Sequence, residues 1–266
     1  MSFVIFLFFA HLGIGVVGTL LLSGHAAGVK FFRFNSGLAA VFLLIALAFR
    51  PEMPTGAWLN AVDLGALIVA TGALLVYWAT VGRALSWLRP GLLWTTVLAG
   101  GVALIAQGLS FSPVTTGSAK VLAILSFLSS TTLLGSAYMA MSLGHFYLVL
   151  PSMDIVALQS IVKLHIGSII LRIAVVAAVI GVALATWESP SGAGYRQYVL
   201  SLDGVFLWQR LLVGLVAPVV LALLARETAK IRSTQSATGI LYVDFFTVIV
   251  GEVLAKYLLL STRVPL

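Results

Sequence analysis

The chain contains no cysteine among its 266 residues. This absence excludes disulfide bonds, thiolate metal sites, iron–sulfur ligation and covalent attachment of c-type haem by this chain. Charged residues are scarce as well, because Asp, Glu, Lys and Arg together make up only 9% of the sequence. Soluble domains carry about a quarter charged residues. The composition is therefore not that of an ordinary soluble domain.

What the chain does contain is apolar sequence, with 61% hydrophobic residues and a mean hydropathy of +1.14. Several apolar runs reach the length of about 20 residues that crosses a bilayer. No intervening segment is long enough for a soluble domain, so we predict a single transmembrane domain over 1–266. The first apolar run lacks a basic segment before it, and we expect a retained helix rather than a signal peptide.

The hydropathy pattern predicts an all-α integral membrane bundle of eight transmembrane helices. The breaks between them fall at segments rich in Pro, Gly and charge, such as 50–56 and 188–204. The predicted helices cover about 3–24, 29–49, 60–82, 91–111, 118–150, 155–187, 205–225 and 239–261.

The distribution of Lys and Arg predicts the orientation of this bundle. The loops after the odd-numbered helices hold the larger share: Lys30, Arg33, Arg83, Arg89, Lys163, Arg226, Lys230 and Arg232. The opposite loops hold fewer basic residues, diluted by acidic ones. The positive-inside rule therefore predicts both termini on the non-cytoplasmic side, in a bacterial inner membrane. The chain lacks a basic patch with interleaved aromatics, so we expect lipid and no nucleic acid as a partner.

Two of the four histidines lie on the first predicted helix. His11 and His25 are fourteen positions apart, which is about 21 Å of helical rise and places both on one face. His145 lies near the cytoplasmic end of the fifth helix, and His165 lies two to three turns into the sixth. Depth therefore permits two pairs, His25 with His145 and His11 with His165. Two bis-imidazole pairs at two depths are the ligand set of two stacked b-type haems.

The fourteen-residue spacing of His11 and His25 resembles the cytochrome b subunit of quinol–cytochrome c oxidoreductases, a family with eight helices and two haems on paired histidines. The resemblance covers one helix, and the partner histidines fall on two helices, which departs from that family. The helix count is also similar to haem-free quinol-binding subunits of the polysulfide-reductase type. These resemblances imply haem b and quinone as cofactors. The alternative interpretations are interfacial and packing histidines, and another metal or proton-relay role.

Four further ionisable residues within the predicted helices are candidates for a functional role. Arg172 shares a face with His165 near mid-helix and requires a partner, such as a haem propionate, a quinone carbonyl or Glu252. Glu252 and Lys256 have the spacing of a helical ion pair. The alternative is a proton path to a quinone, with Glu252 as the carrier and Arg210 along it.

Simpler roles are expected for several other polar residues. Arg210, near the start of its helix, is expected to extend towards the headgroups. Asp154 is expected to cap the sixth helix, and Tyr242 and Asp244 to lie at the start of the eighth, with Asp244 as a helix cap.

Three classes of function remain open from the sequence. The first is a membrane subunit of a quinone-linked electron-transfer complex, at most the membrane subunit of an oxidoreductase, with other subunits that supply or accept electrons. The second is a transporter of ions or small solutes. The third is a structural or assembly subunit that binds its neighbours through small-residue faces. The sequence contains no nucleophile elbow, phosphate-binding loop or zinc-ligand spacing.

Overall fold

The computed structural model describes residues 1–23, 28–52, 56–83, 86–111, 117–150, 155–187 and 194–266. This part of the chain is helical and contains no strand. The ten α-helices of the described residues are α1 Ser2–Leu22, α2 Gly28–Ala48, α3 Ala57–Thr80, α4 Arg89–Ser110, α5 Gly117–Val149, α6 Ile155–Thr186, α7 Tyr195–Val199, α8 Val205–Leu211, α9 Ala217–Lys230 and α10 Thr234–Thr262.

Seven helical segments of the described residues are long and apolar enough to cross a membrane. They are α1 to α6 and the continuous segment Val205–Lys230, in which a π-helical stretch joins α8 to α9. The last helix, α10, has 29 residues and is not among the seven; it carries the charged residues Asp244, Glu252 and Lys256. The prediction of an all-helical, membrane-compatible bundle is confirmed, and the predicted count of eight differs by this one helix.

The long helices run alternately up and down, so each end of the bundle has its own side-chain contacts. Phe3 of α1 packs edge-on against Phe111 after α4, with ring centroids 5.5 Å apart, which places the start of α1 beside the end of α4. At the opposite end, the Thr238 hydroxyl of α10 donates to the carbonyl oxygen of Gly144 on α5, at 2.9 Å. We call these the Phe3 end and the Gly144 end.

Helix α5 lies at the centre and packs against α1, α4, α6 and α10. Its closest approach is to α1, where Gly15 faces Gly135 and the carbonyl of Thr131. A Cβ atom on either glycine would overlap backbone atoms of the other helix, so this crossing requires glycine on both sides. The tight crossing holds the polar side chains of α1 and α5 next to one another.

Candidate functional site

A buried cluster of ionised side chains surrounds the carboxylate of Glu252. Arg172 donates to both carboxylate oxygens, from Nε to Oε1 at 3.0 Å and from Nη2 to Oε2 at 3.2 Å. Arg210 donates to Oε1 at 2.8 Å, and Lys256 donates to Oε2 at 3.0 Å. The Ser130 hydroxyl completes the set by donating to Oε2. All five side chains are buried, so the ion pairs are shielded from water.

Serines of α5 orient Arg172 within this cluster. Its Nη1 donates to the carbonyl and hydroxyl oxygens of Ser126 and to the hydroxyl of Ser129, at 2.8 to 3.1 Å. Its Nη2 also donates to the main-chain oxygen of Leu266, at 2.8 Å. These contacts satisfy the planar donor set of a guanidinium, which fixes its orientation towards the carboxylate.

A glycine contact between two helices brings Arg210 to the same carboxylate. Gly214 lies in the π-helical stretch Leu212–Val216 and faces Gly251 of α10 at backbone contact distance. A Cβ atom on Gly214 would overlap both Gly251 and the guanidinium of Arg210. The absence of side chains at both positions lets the guanidinium reach Glu252.

Three cations surround one carboxylate in this cluster, so positive charge is in excess among its described side chains. Two nitrogens of Arg210, Nε and Nη1, are buried without a hydrogen-bond partner among the described groups. The adjacent cavity, lined by His11, Ser130, Arg172 and Lys256 among others, measures about 10 Å³. A cavity of this size holds about one water molecule.

His11 joins the cluster through the Ser130 hydroxyl, which lies 3.1 Å from its Nδ1. Because Ser130 donates its one proton to Glu252 and accepts from Lys256, Nδ1 of His11 is the donor in this contact. The other ring nitrogen, Nε2, is then an acceptor, and it is buried without a partner in the described part of the chain. Lys256, Ser130 and His11 thus form a hydrogen-bonded chain that ends in an acceptor atom.

A second buried cluster also contacts α5, nearer to the Gly144 end. Nε2 of His165 lies 2.7 Å from Oδ2 of Asp244, and its Nδ1 lies 3.0 Å from the hydroxyl of Ser136. Ser136 donates to the carbonyl of Leu133, so Nδ1 of His165 is the donor to Ser136. The contact has the distance of an ion pair, but Nε2 and both carboxylate oxygens have no partner of hydrogen-bond geometry among the described groups. Because a buried acid next to a buried base can hold a proton, we call His165 and Asp244 the proton-holding pair.

A pocket of about 270 Å³ borders the second cluster, between α1, α4, α5 and α6. Its lining is mostly apolar and includes Gly15 and Gly18. No atom lies within 4 Å of a Cβ position on Gly18, which leaves room against α1 there. Ser136 and Ser168 contribute hydroxyls to the same lining. Thr132 also lines the pocket and is exposed, so the pocket reaches the outer surface of the bundle.

A further series of hydrogen-bonded polar side chains begins at the Phe3 end. Arg50 donates from Nε to Oδ2 of the buried Asp63 at 2.7 Å and from Nη2 to the carbonyl of Asn60 at 2.8 Å. Oδ1 of Asp63 accepts a hydrogen bond of 2.8 Å from the side-chain amide of Gln107. Gln107 lies close to the His11 ring, and its Oε1 is buried without a hydrogen-bond partner among the described groups. This chain leads from the end of α2 into the bundle.

The predicted histidine pairs are not the contacts that the imidazoles make in the described structure. His11 and His165 bond to different serines of α5, six positions apart. His145 is bonded to the hydroxyl of Tyr242, at 2.8 Å, on the exposed side of α5. His25 lies outside the described residues. Among the described residues, no group of three or more His, Asp or Glu side chains is suited to a metal ion.

The described imidazoles do not fit a bis-histidine haem. An axial ligand needs one ring nitrogen directed at the iron. Both nitrogens of His165 face protein groups, Ser136 on one side and Asp244 on the other. His11 offers only Nε2, next to a cavity that holds about one water molecule.

The pairing requirement of the buried arginine is met by protein groups. The ion pair of Arg172 with Glu252 and the helical pair of Glu252 with Lys256 are both confirmed. The expectation that Arg210 extends towards the headgroups is wrong, because its side chain is fully buried on Glu252.

Asp244 does not cap a helix, in contrast to the prediction. Asp244 and Tyr242 lie well inside α10, because that helix begins at Thr234 rather than near 239. Asp154 lies outside the described residues. The participation of Ser130, Ser136 and Asp63 was not anticipated from the sequence. Ser129 and Ser130 follow Ser126 by three and four positions, and Ser136 follows Ser129 by seven, which is the spacing of residues on one helix face.

No model of a known protein family matches this chain, and no curated protein is significantly similar to it in sequence.

Proposed function

We propose that the protein is a haem-free, quinone-binding membrane subunit of an electron-transfer complex. The headgroup of the quinone occupies the pocket between α1, α4, α5 and α6. The observation that carries this proposal is the contact chain Asp244–His165–Ser136, which links a buried proton-holding pair to the wall of that pocket. The absence of cysteine means that partner subunits provide any iron–sulfur centre from which electrons come.

The pocket has the character that a membrane quinone requires. Binding sites for small molecules are mostly apolar clefts with a few polar groups that fix orientation. Here the apolar lining and the open space beside Gly18 accept a flat ring, and the hydroxyls of Ser136 and Ser168 supply polar contacts. The exposed Thr132 lies where the isoprenoid tail passes from the bilayer into the pocket.

The two clusters supply the protons of the reaction. Reduction of a quinone to a quinol takes up two electrons and two protons, and oxidation of the quinol is the reverse. His165 and Asp244 exchange one proton with a quinone oxygen through the Ser136 hydroxyl. We assign the other proton to the chain Lys256–Ser130–His11, which meets α5 at Ser130, the residue before the pocket-lining Thr131. Such relays of buried ionisable groups are the usual function of charges within a membrane.

The cation-rich cluster has an electrostatic function in this proposal. Three cations hold Glu252 as a carboxylate, so it orients Arg172, Arg210 and Lys256 and does not carry the proton itself. The remaining positive charge favours the more electron-rich, reduced form of the bound quinone.

The proposal includes an eighth membrane span and an orientation. We infer that α10 also crosses the bilayer, with Asp244, Glu252 and Lys256 directed into the bundle, where each contacts a buried partner. The excess of Lys and Arg in the loops of the Gly144 end then places that end in the cytoplasm and both termini outside, in a bacterial inner membrane.

A second candidate is proton conduction without a quinone. The chain Arg50–Asp63–Gln107 favours it, since it leads from the Phe3 end towards His11 and has no contact with the proposed quinone pocket.

Two glycine variants separate the candidates. Gly18 lines the pocket and Gly72 lies on the exposed side of α3, and neither has an atom within 4 Å of its Cβ position. Gly18→Leu fills the pocket, and Gly72→Leu is the matched control. We expect Gly18→Leu to weaken binding of a short-chain quinone to the purified protein about tenfold or more, with Gly72→Leu unchanged.

Equal quinone affinity of both variants would contradict the quinone proposal. Proton flux into vesicles that contain the protein alone, unaffected by Gly18→Leu and abolished by Asp63→Asn, would establish the second candidate instead.

A further inference from the structure

We propose that the groove between α2 and α3 at the Gly144 end is a binding site for one anionic phospholipid. The inference is independent of the quinone proposal. It rests on a different surface of the molecule, a groove with a cationic end and an apolar lining.

The groove has a volume of about 580 Å³, which is larger than the proposed quinone pocket. Lys30 and Arg33 of the first turns of α2 lie at one end of it. Leu38, Val41 and Leu44 of α2 continue the lining along the helix, with Leu75 of α3 on the opposite wall. The groove therefore changes from cationic to apolar along its length, as a phospholipid changes from headgroup to acyl chain.

The cationic end lies at the depth of lipid headgroups. Helix α2 has 21 residues, which span about 30 Å and match the hydrocarbon core, so its first turn meets the bilayer interface. Basic clusters at this depth between membrane helices attract anionic headgroups. No carboxylate lies within ion-pair distance of Lys30 or Arg33 in the described residues, so their charge is available to a phosphate.

Contacts across the groove hold its shape. The guanidinium of Arg33 lies over the Trp78 ring, 5.8 Å from its centroid, in a cation–π arrangement. The indole of Trp78 packs directly against Gly37, where a Cβ atom would overlap Nε1. Because residue 37 is glycine, the indole can pack directly against α2. The indole thus forms one wall of the groove, and the Arg33 guanidinium lies over it.

The experiment measures lipid binding to the full chain in detergent. Phosphatidylglycerol and phosphatidylcholine are titrated separately and bound lipid is counted by native mass spectrometry. We expect phosphatidylglycerol to bind at one site. The double variant Lys30→Gln/Arg33→Gln should lower the affinity for this lipid about 30-fold, because each basic side chain contributes about fivefold. The matched control is Lys163→Gln/Arg226→Gln, which removes two basic residues outside the groove and leaves the affinity unchanged.

A second variant keeps the test independent of charge. Val41 is about half exposed and lines the apolar part, so Val41→Trp fills the groove while Lys30 and Arg33 stay in place. We expect it to reduce phosphatidylglycerol binding as well. Equal binding of phosphatidylcholine, equal loss in the control, or full competition by inorganic phosphate alone would each overturn the proposal, the last in favour of a free-anion site.

Discussion

Two buried polar clusters contact α5, one around Glu252 and one around His165, and they differ in their balance of charge. Around Glu252, three cations share one carboxylate, and the neighbouring cavity has room for about one water molecule. Around His165, one acid faces one base, and the neighbouring pocket is many times larger. The comparison shows that one helix can support two kinds of buried site: a carboxylate shared by three cations, and a carboxylate next to a single imidazole. In the proposed function the first carboxylate stays ionised and the second site exchanges a proton.

The largest effect is expected from loss of the central carboxylate. Glu252→Gln leaves three buried cations without their anion, so we expect a loss of about 3–5 kcal/mol in the free energy of unfolding. Thermal unfolding in detergent, followed by tryptophan fluorescence, measures it. Glu227→Gln, which removes an exposed pair with Lys230, is the control and is expected to have no measurable effect. Equal stability of the two variants would contradict the assigned role of the cluster.

Loss of the aspartate in the other cluster should affect turnover more than folding. Asp244→Asn removes the acid of the proton-holding pair, and we expect quinone-linked turnover of the assembled complex to fall about a hundredfold. Asp63→Asn is the matched control, because it also neutralises a buried aspartate but lies at the Phe3 end, and it should leave turnover near the parent value. A greater loss in Asp63→Asn would favour the proton-conduction candidate.

The crossing of α1 and α5 supports both clusters, so its disruption should weaken the whole core. In Gly15→Ala the new methyl group would overlap the carbonyl of Thr131, and we expect a loss of about 1–3 kcal/mol in stability. Gly18→Ala, one turn along, meets no atom within 4 Å and should have no such cost. Unfolding curves of the two variants measure this difference in stability. Equal unfolding midpoints would contradict the prediction.

The smallest effect is expected outside both clusters. The hydrogen bond between Tyr242 and His145 lies on the exposed side of the bundle. Tyr242→Phe should therefore change the free energy of unfolding by about 0.5 kcal/mol or less. A change as large as that of Glu252→Gln would show that this contact belongs to the buried network.

The sequence predicted the helical class and most helix positions, because apolar length alone decides them. It also predicted the pairing of Arg172 and of Lys256 with Glu252, since a buried charge needs a partner. It did not predict that Arg210 would turn inward, because that depends on the contact of Gly214 with Gly251, which are far apart in the chain.

The choice of partners for the histidines was likewise not predictable. Depth along a helix permitted a pair of His11 with His165, but rotation of each helix decides which neighbour an imidazole meets. In the structure both face α5, whose serines have little effect on hydropathy and so escaped notice. The start of α10 was placed too late because Thr234 and its polar neighbours look like a loop, although Thr238 bonds to Gly144 and belongs to the packed helix.

The central claim is that Asp244, and not Glu252, changes its protonation with the redox state of a bound quinone. An infrared difference spectrum between the oxidised and reduced protein, with quinone bound, measures this directly. We expect a carboxyl C=O band that is lost in Asp244→Asn and unshifted in Glu252→Asp. A band that survives Asp244→Asn, or one that shifts in Glu252→Asp, would contradict the account.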